Sequence, residues 1–358
     1  MDGQWFQRHV VVPASFQPRP RRLHAIYRAI PALAGLALAL ASRPLSRLRG
    51  GDLARIAVAL LLALAGAEAA LRRDRNGTAP WRAAKLELRM GRPDPRYGWL
   101  LLPSRSSRLA SSPTAEIAYD IDAWGDRAAD ARSAPDPARP TLVVAGESIA
   151  VGHGLPFEDT FAARLSSALG LQLVNVAAGG YGTDQALLRL EDALPKLSRP
   201  VAVVMVVPML QLERNLQDYR PRLVLANGAL ALAPPADGLF ARSRLRDLLV
   251  NEIPVLSEQK LRRALAVTAA ELRQAASVAR AHGAELLFLV PVVGQERPLL
   301  EHPEAQFLRP LFIEQGLPFV LADVDPAELL PFDGHPDAAA SRRIAALLER
   351  TLRPRLAR

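Results

Sequence analysis

The chain contains no cysteine, which excludes a disulfide framework, a thiolate nucleophile and any Cys-based metal site. It also lacks the His-Glu-x-x-His pattern and any paired-carboxylate spacing for a metal, and His9, His24, His282 and His302 are dispersed. No Gly-Lys-Ser/Thr occurs, and no strand is followed by spaced glycines with a downstream acid, so nucleotide binding has no motif behind it. The mean hydropathy of +0.07 is too low for a polytopic membrane protein. There is no clean signal-peptide pattern, because the polar head is long and no small-residue cleavage site follows a short apolar core.

What the chain does have is 358 residues, half of them apolar and 23% charged, enough for a core and for two average domains or one large one. Its net charge of +9 is concentrated at one end: residues 1–75 hold 12 Arg against 4 acidic residues, and the remainder is nearly neutral. A nucleic-acid-binding domain needs positive charge on its folded face. Here the arginines flank apolar runs, so no nucleic-acid partner is expected. The run Leu53 to Ala70 is about as long as a bilayer core requires. Arg55 and Glu68 interrupt it near its ends, where long side chains reach the interface. A buried Ala/Leu helix of a soluble domain is the competing reading. The shorter run Ile30 to Ser42, with Pro31 at its start, reads as interfacial or peripheral. The positive-inside rule favours one uncleaved span, with the first 52 residues inside and the C-terminal part outside.

Residues 76–139 are rich in Pro, Arg and Ser, with Trp81, Tyr97, Trp99, Tyr119 and Trp124 spaced through them. They read as a stalk ending in a lid or brace whose aromatics pack on the following domain, with a linker over 128–139. From Pro140 strands and helices alternate. Strands are expected at 141–145, 171–176, 201–207, 285–293 and 318–323. Helices are expected at 160–169, 184–197, 258–282, near 304–315 and at 336–352. Five strands with intervening helices imply an α/β domain with a parallel sheet covered on both faces. Within the interruption at 208–257, Asn227-Gly228 signals a type I′ hairpin. The organisation is then a basic segment (1–52), an anchor (53–71), a stalk or lid (72–139) and an α/β domain (140–358).

In such a sheet, reactive groups gather in the loops at the carboxyl ends of the strands. The first loop, Gly146-Glu147-Ser148, exposes a serine at a strand-to-helix turn, where it is either a nucleophile or a cap. The last loop, Asp333-Gly334-His335-Pro336, puts an imidazole at a helix entrance, with Pro336 suited to the first helical position. His335 is the leading base for Ser148, and Asp333 is placed to hold the ring or stabilise its charged form. A capping Asp beside a surface His is the alternative. The middle loop, Asn175 to Gln185, has glycines that allow close backbone approach and a second oxyanion donor. His153 either lines the pocket or lies on the surface.

Together these blocks resemble the SGNH or GDSL-type hydrolases, serine esterases and acyl-handling enzymes, over about residues 140 to 352. The resemblance implies a flavodoxin-like three-layer α/β/α fold and no cofactor or metal. It implies a Ser148, His335 and Asp333 triad, with Ser148 and Gly180 as oxyanion donors. Glu147 stands where the motif usually has Asp. The family's Gly-x-Asn-Asp block after the third strand is absent, since Val207 runs into Pro208-Met209-Leu210-Gln211-Leu212-Glu213-Arg214-Asn215. Asn215 or Gln211 could supply the missing amide, with Asn215 preferred. The Ala67 to Arg72 and Tyr181 to Gln185 stretches look like membrane-anchored bacterial members, whose hydrolase domain lies outside the inner membrane. The expected substrate is an ester, for instance an O-acylated envelope glycan or lipid. A non-catalytic binding or assembly protein on a degenerate form of the fold is the alternative, and a soluble cytoplasmic enzyme a third.

Overall fold

The strand runs read from the sequence form one sheet. The computed structural model describes residues 49–73, 90–112, 115–238, 241, 243–247, 258–293, 305–331 and 334–357. The described residues divide between two compact units, Met1–Ala79 with Asp237–Val255, and Pro80–Ala236 with Leu256–Arg358.

In the first unit, α1 (Gly50–Arg73) contains a 22-residue stretch, Gly50–Leu71, of mean hydropathy 1.9, long and apolar enough to cross a membrane. Its Leu60, Leu61 and Leu62 are more than half exposed among the described residues. Glu68, the acid that interrupts the apolar run, has partners in a distant segment. Its carboxylate accepts from Ser243 Oγ at 3.0 Å, from Arg244 N at 2.9 Å and from Leu245 N at 2.9 Å. The run at Ile30 to Ser42 lies outside the described residues.

The second unit opens with the hairpin β1 (Gly91–Asp94) and β2 (Gly98–Leu101), then an antiparallel trio, β3 (Arg105–Ser112), β4 (Ala115–Ile121) and β5 (Arg127–Ala128). The order then becomes β6 (Thr141–Ala145), α2 (Ser148–Val151), α3 (Phe161–Leu169), β7 (Gln172–Asn175), α4 (Thr183–Ala193) and β8 (Pro200–Val206). A 3₁₀ segment, Met209–Leu216, leads to the hairpin β9 (Arg222–Ala226) and β10 (Ala229–Ala233). Asn227 and Gly228 take φ of 52° and 82°, the pair of positive values a type I′ turn requires. A short helix of the first unit, α5 (Arg244–Asp247), intervenes, and α6 (Glu258–Ala281), β11 (Glu285–Val293), α7 (Ala305–Leu308), β12 (Phe319–Val324) and α8 (Ala338–Leu356) complete the chain.

The sheet is five-stranded, parallel and ordered β12-β11-β8-β6-β7. Numbered by chain order this is 2-1-3-4-5 from one edge, the doubly wound arrangement whose order reverses between its first and third strands. Helices α3 and α8 pack together on one face, and α4 packs with α6 on the other, giving three layers. Leu142, Val143 and Val144 of β6 are fully buried because both faces are covered. Each such side chain contributes about 1.5–3 kcal/mol from area removed from water.

Three helix expectations are corrected. The helix expected to start at Pro336 begins at Ala338, because Asp337 caps it by accepting from Ala339 N and Ala340 N, while Pro336 bridges back to Leu329. The helix expected near 304–315 is one turn, α7, running into a π turn at Arg309–Ile313. The helix expected over 184–197 ends at Ala193 and tightens to a 3₁₀ turn at Leu194–Lys196, where Pro195 removes a donor.

The aromatic brace is part of the α/β core. Trp99, Leu101, Tyr119 and Ile121 are buried in the same cluster as Leu142, Val144 and Tyr181. The Trp99 and Tyr181 rings lie 5.3 Å apart, and Tyr181 Oη donates to Trp99 O at 2.7 Å. Arg127, buried with its guanidinium 3.6 Å from the Tyr119 ring centroid, donates to Leu155 O at 3.1 Å. The brace therefore holds the segment that follows α2. Trp81 lies outside the described residues.

Candidate active site

The candidate loops leave the carboxyl ends of β6, β7 and β12. After β6 the chain turns at Gly146, with φ of 146°, a value that side chains disfavour. A Cβ there would stand 2.8 Å from both Ala150 Cβ and Val206 Cβ, so the neighbouring strand also requires glycine. This turn places Glu147 at the N-cap of α2 and Ser148 in its first position. Both are buried, at 2% and 7% exposure. Glu147 Oε1 accepts from Ile149 N at 3.0 Å, and Glu147 Oε2 accepts the hydroxyl of Ser148.

His335 comes to Ser148 from the other end of the chain, with Nε2 2.8 Å from Oγ. Backbone hydrogen bonds tie the described residues around it to the segment before them. Leu330 N donates to His335 O at 2.7 Å, Gly334 N donates to Leu330 O at 3.0 Å, and Asp337 N donates to Glu328 O at 2.8 Å. The ring stacks on His153, with centroids 4.5 Å apart, and His153 N donates to Ser148 O at 2.9 Å. His153 thus packs against His335. Asp333 lies outside the described residues.

The middle loop is tied to the serine loop. Asn175 Nδ2 donates to Ala150 O at 2.9 Å, its Oδ1 accepts from Ala177 N at 3.2 Å, and Ala178 N donates to Gly146 O at 3.3 Å. Gly180 follows with φ of 79°, a left-handed turn. Gly182 starts α4, its N–H donating to Gln185 Oε1 at 2.9 Å, and Gln185 Nε2 reaches Tyr97 O at 2.6 Å.

Asn215 does not join Ser148. Its amide nitrogen faces Thr183 Oγ1 at 2.5 Å, Thr268 Oγ1 at 2.8 Å and Glu271 Oε2 at 2.9 Å, and its two hydrogens are taken up within that buried cluster. The physical reason is the 3₁₀ segment after β8, which turns Asn215 toward α6. Gln211 belongs to the same segment. Nearby, Arg220 grips Asp184 with a fork of 2.7 and 3.0 Å, both side chains being almost wholly buried. Burial, and then the charge of Asp184, push the Glu271 carboxyl well above its ordinary range. This cluster of Asp184, Arg220, Glu271, Thr183, Thr268 and Asn215 supports the start of α4. The sequence carried a signal for it: Glu271 is an acid on the face of α6 that also carries Ala264, Val267, Thr268, Ala275 and Ala279, all of them buried. Arg214 donates to Tyr181 O at 3.2 Å, and burial lowers its pKa against the opposing pull of Glu147.

No protein-family model and no curated protein matches the chain. Solved structures similar to it include a carbohydrate acetylesterase family member from Sinorhizobium meliloti, at 15% identity and TM-score 0.37 over 61% of this chain and all of that one. A member of the lipolytic protein G-D-S-L family from Veillonella parvula DSM 2008 matches at 11% identity and TM-score 0.33, over 57% and 94% of the two chains. The acetyl xylan esterase Est2A from Butyrivibrio proteoclasticus matches at 12% identity and TM-score 0.38, over 63% and 66%.

Proposed function

We propose that the protein is a membrane-anchored serine hydrolase of the SGNH type, cleaving or transferring ester-linked acyl groups. The observation that supports this most is the 2.8 Å approach of His335 Nε2 to Ser148 Oγ at the switch point of the sheet. In this reading Ser148 Oγ attacks the acyl carbon, and His335 moves protons among the nucleophile, the leaving alcohol and the incoming water. The backbone N–H groups of Ser148 and Gly180 hold the oxyanion. Asp333 orients His335, a role that rests on the motif resemblance. Water releases the acyl group, or a sugar hydroxyl accepts it where water is excluded. No side-chain amide is assigned to the oxyanion hole, and losing one such donor costs on the order of 10²–10³ in rate, consistent with a slow or specialised enzyme.

The membrane reading rests on α1, an apolar helix flanked by arginines, with the Arg-rich head inside. It puts the hydrolase unit outside the inner membrane, where O-acyl groups on envelope glycans or lipids are the accessible esters. The alternative, a non-catalytic binding protein, draws on the altered block after β8. One experiment separates the two. The detergent-solubilised protein should react with a fluorophosphonate and hydrolyse p-nitrophenyl acetate, and Ser148→Ala should do neither. Unchanged turnover in Ser148→Ala refutes the assignment.

A further inference from the structure

The stretch that stands in place of the expected block after β8 brings a charged side chain to the candidate site. Arg214, in the 3₁₀ segment Met209–Leu216, is half-buried, and its Nη1 donates to Tyr181 O at 3.2 Å. Its backbone is fixed as well: Arg214 O accepts from Arg220 Nη2 at 2.7 Å and from Gln217 N at 3.2 Å. Pro208 and Leu212, from the same stretch, line a small cavity with Gly146, Glu147, Tyr181 and Gly182, so this stretch borders both the serine turn and the middle loop. Tyr181 follows Gly180, and Glu147, which precedes Ser148, is the charged neighbour that acts most strongly on Arg214. Both relationships put the guanidinium beside the two turns whose backbone N–H groups are the proposed oxyanion donors. A guanidinium is planar, carries five N–H groups and stays charged. Tyr181 O takes up one of them here, and among the described residues no carboxylate forms an ion pair with Arg214. Partly burying a cation without an ion pair is costly. The arrangement leaves N–H groups for an oxygen anion that arises during the reaction.

We propose that Arg214 is a third oxyanion donor, a guanidinium where the SGNH pattern has a side-chain amide. This rests on the reading of Ser148 as the nucleophile and His335 as its base, and adds one residue to it. As Oγ bonds to the acyl carbon, its hydrogen passes to His335 Nε2 and the carbonyl electron pair moves onto oxygen. That oxygen accepts from Ser148 N, Gly180 N and an N–H of Arg214. When the pair returns and the ester C–O bond breaks, the leaving oxygen takes the hydrogen from Nε2, and the bond to Arg214 weakens as the charge is lost. Arg214 itself transfers no proton. A hydrogen bond between charged groups is roughly twice as strong as a neutral one. The guanidinium therefore favours the tetrahedral anion over the neutral ester, which is the difference that accelerates the step.

The test measures kcat and KM for p-nitrophenyl acetate on the full-length protein in detergent. This ester has no anionic substituent, so a loss on it does not come from recognition of substrate charge. Arg214→Met, with its melting temperature checked, should lose on the order of 10²–10³ in kcat and equally in kcat/KM. Arg214→Lys should fall between the parent and Arg214→Met, because one ammonium does not serve Tyr181 O and the oxyanion as a planar fork does. The second readout is the affinity for phenylboronic acid, whose boron bonds to Oγ of Ser148 as a tetrahedral anion. Its Kd should rise by about the factor that kcat/KM falls. Parental kcat in a folded Arg214→Met protein overturns the proposal. A fall in kcat with an unchanged boronate Kd also overturns it, since Arg214 would then act only by supporting the Tyr181 turn. If Arg214→Met does not fold, Arg214→Lys decides, and parental kcat with parental boronate affinity in that variant overturns the proposal. If Ser148→Ala retains activity, the reading of the site itself fails. If Ser148→Ala is inactive while Arg214→Met keeps the parental kcat, only the role of Arg214 fails.

Discussion

The side-chain amide of Asn215 donates to Glu271 Oε2 at 2.9 Å, joining the segment after β8 to the long helix α6 beneath the middle loop. The contact sets the role of a residue that motif spacing had offered to the oxyanion hole. It makes Asn215 part of the support on which the loop rests.

Replacing Asn215 by Ala should therefore act on stability. Thr183, Thr268 and Glu271 would each lose a buried partner, and a buried polar group left unsatisfied costs about 1–3 kcal/mol. A lower urea midpoint, with kcat reduced less than tenfold in the protein that remains folded, is the expected result. A 10²-fold fall in kcat at parental stability would return Asn215 to the oxyanion hole.

Glu271 should give the stability a particular dependence on pH. In the unfolded chain its carboxyl has its ordinary value of 4.5, while in the folded protein burial and Asp184 hold it well above that. From pH 4.5 upward the unfolded chain releases a proton that the folded chain keeps, so this group's contribution declines as pH rises through the folded value. Glu271→Gln, which resembles the neutral acid, should remove that decline and gain stability relative to the parent with increasing pH. Urea unfolding of both proteins from pH 5 to pH 8 measures the difference, and a gap that widens in the parent's favour contradicts the sign.

Gly146 should not tolerate a side chain. Gly146→Ala would put a methyl group 2.8 Å from Val206 Cβ and Ala150 Cβ at a φ of 146°. Overpacking of this kind costs about 1–3 kcal/mol. The same change should displace the Ser148 turn, so fluorophosphonate labelling should slow along with the fall in melting temperature. Parental labelling and stability would show that the turn does not need glycine.

The contact between Glu68 and Ser243 can be tested because the chain has no cysteine of its own. The pair Glu68→Cys and Ser243→Cys should be bridged by a short bis-maleimide in native membranes, detectable by protease cleavage between the two positions followed by electrophoresis. A control pair, Leu61→Cys with Ser243→Cys, should not be bridged, since Leu61 lies about two turns earlier on α1. Equal bridging of both pairs would remove the contact.

Much of the fold was legible in local pattern. Glu285–Val293 appears with its expected bounds because the apolar run that follows Glu285, between a helix-ending Gly283 and a polar stretch, has no other low-energy use in a covered parallel sheet. The Asn227-Gly228 turn was legible for a similarly local reason, the cost of positive φ for other residues. The start of the last helix was misplaced by two residues because Asp337 caps more effectively than Pro336 initiates. That Ser148 and His335 stand in loops at the carboxyl ends of strands was also legible, because the strand pattern fixes where those loops fall.

The sequence by itself determined the strands, their alternation with helices, the apolar helix with its arginine flanks, and the residue types available for acyl chemistry, because each depends on interactions between near neighbours in the chain. Only the tertiary structure decided that Nε2 of His335 meets Oγ of Ser148 across 187 positions, that Glu147 holds the same hydroxyl, and that Asn215 turns inward to Glu271. Side-chain hydrogen bonds between distant segments follow from how the layers pack, and no periodicity along the chain encodes which donor a buried acceptor will find.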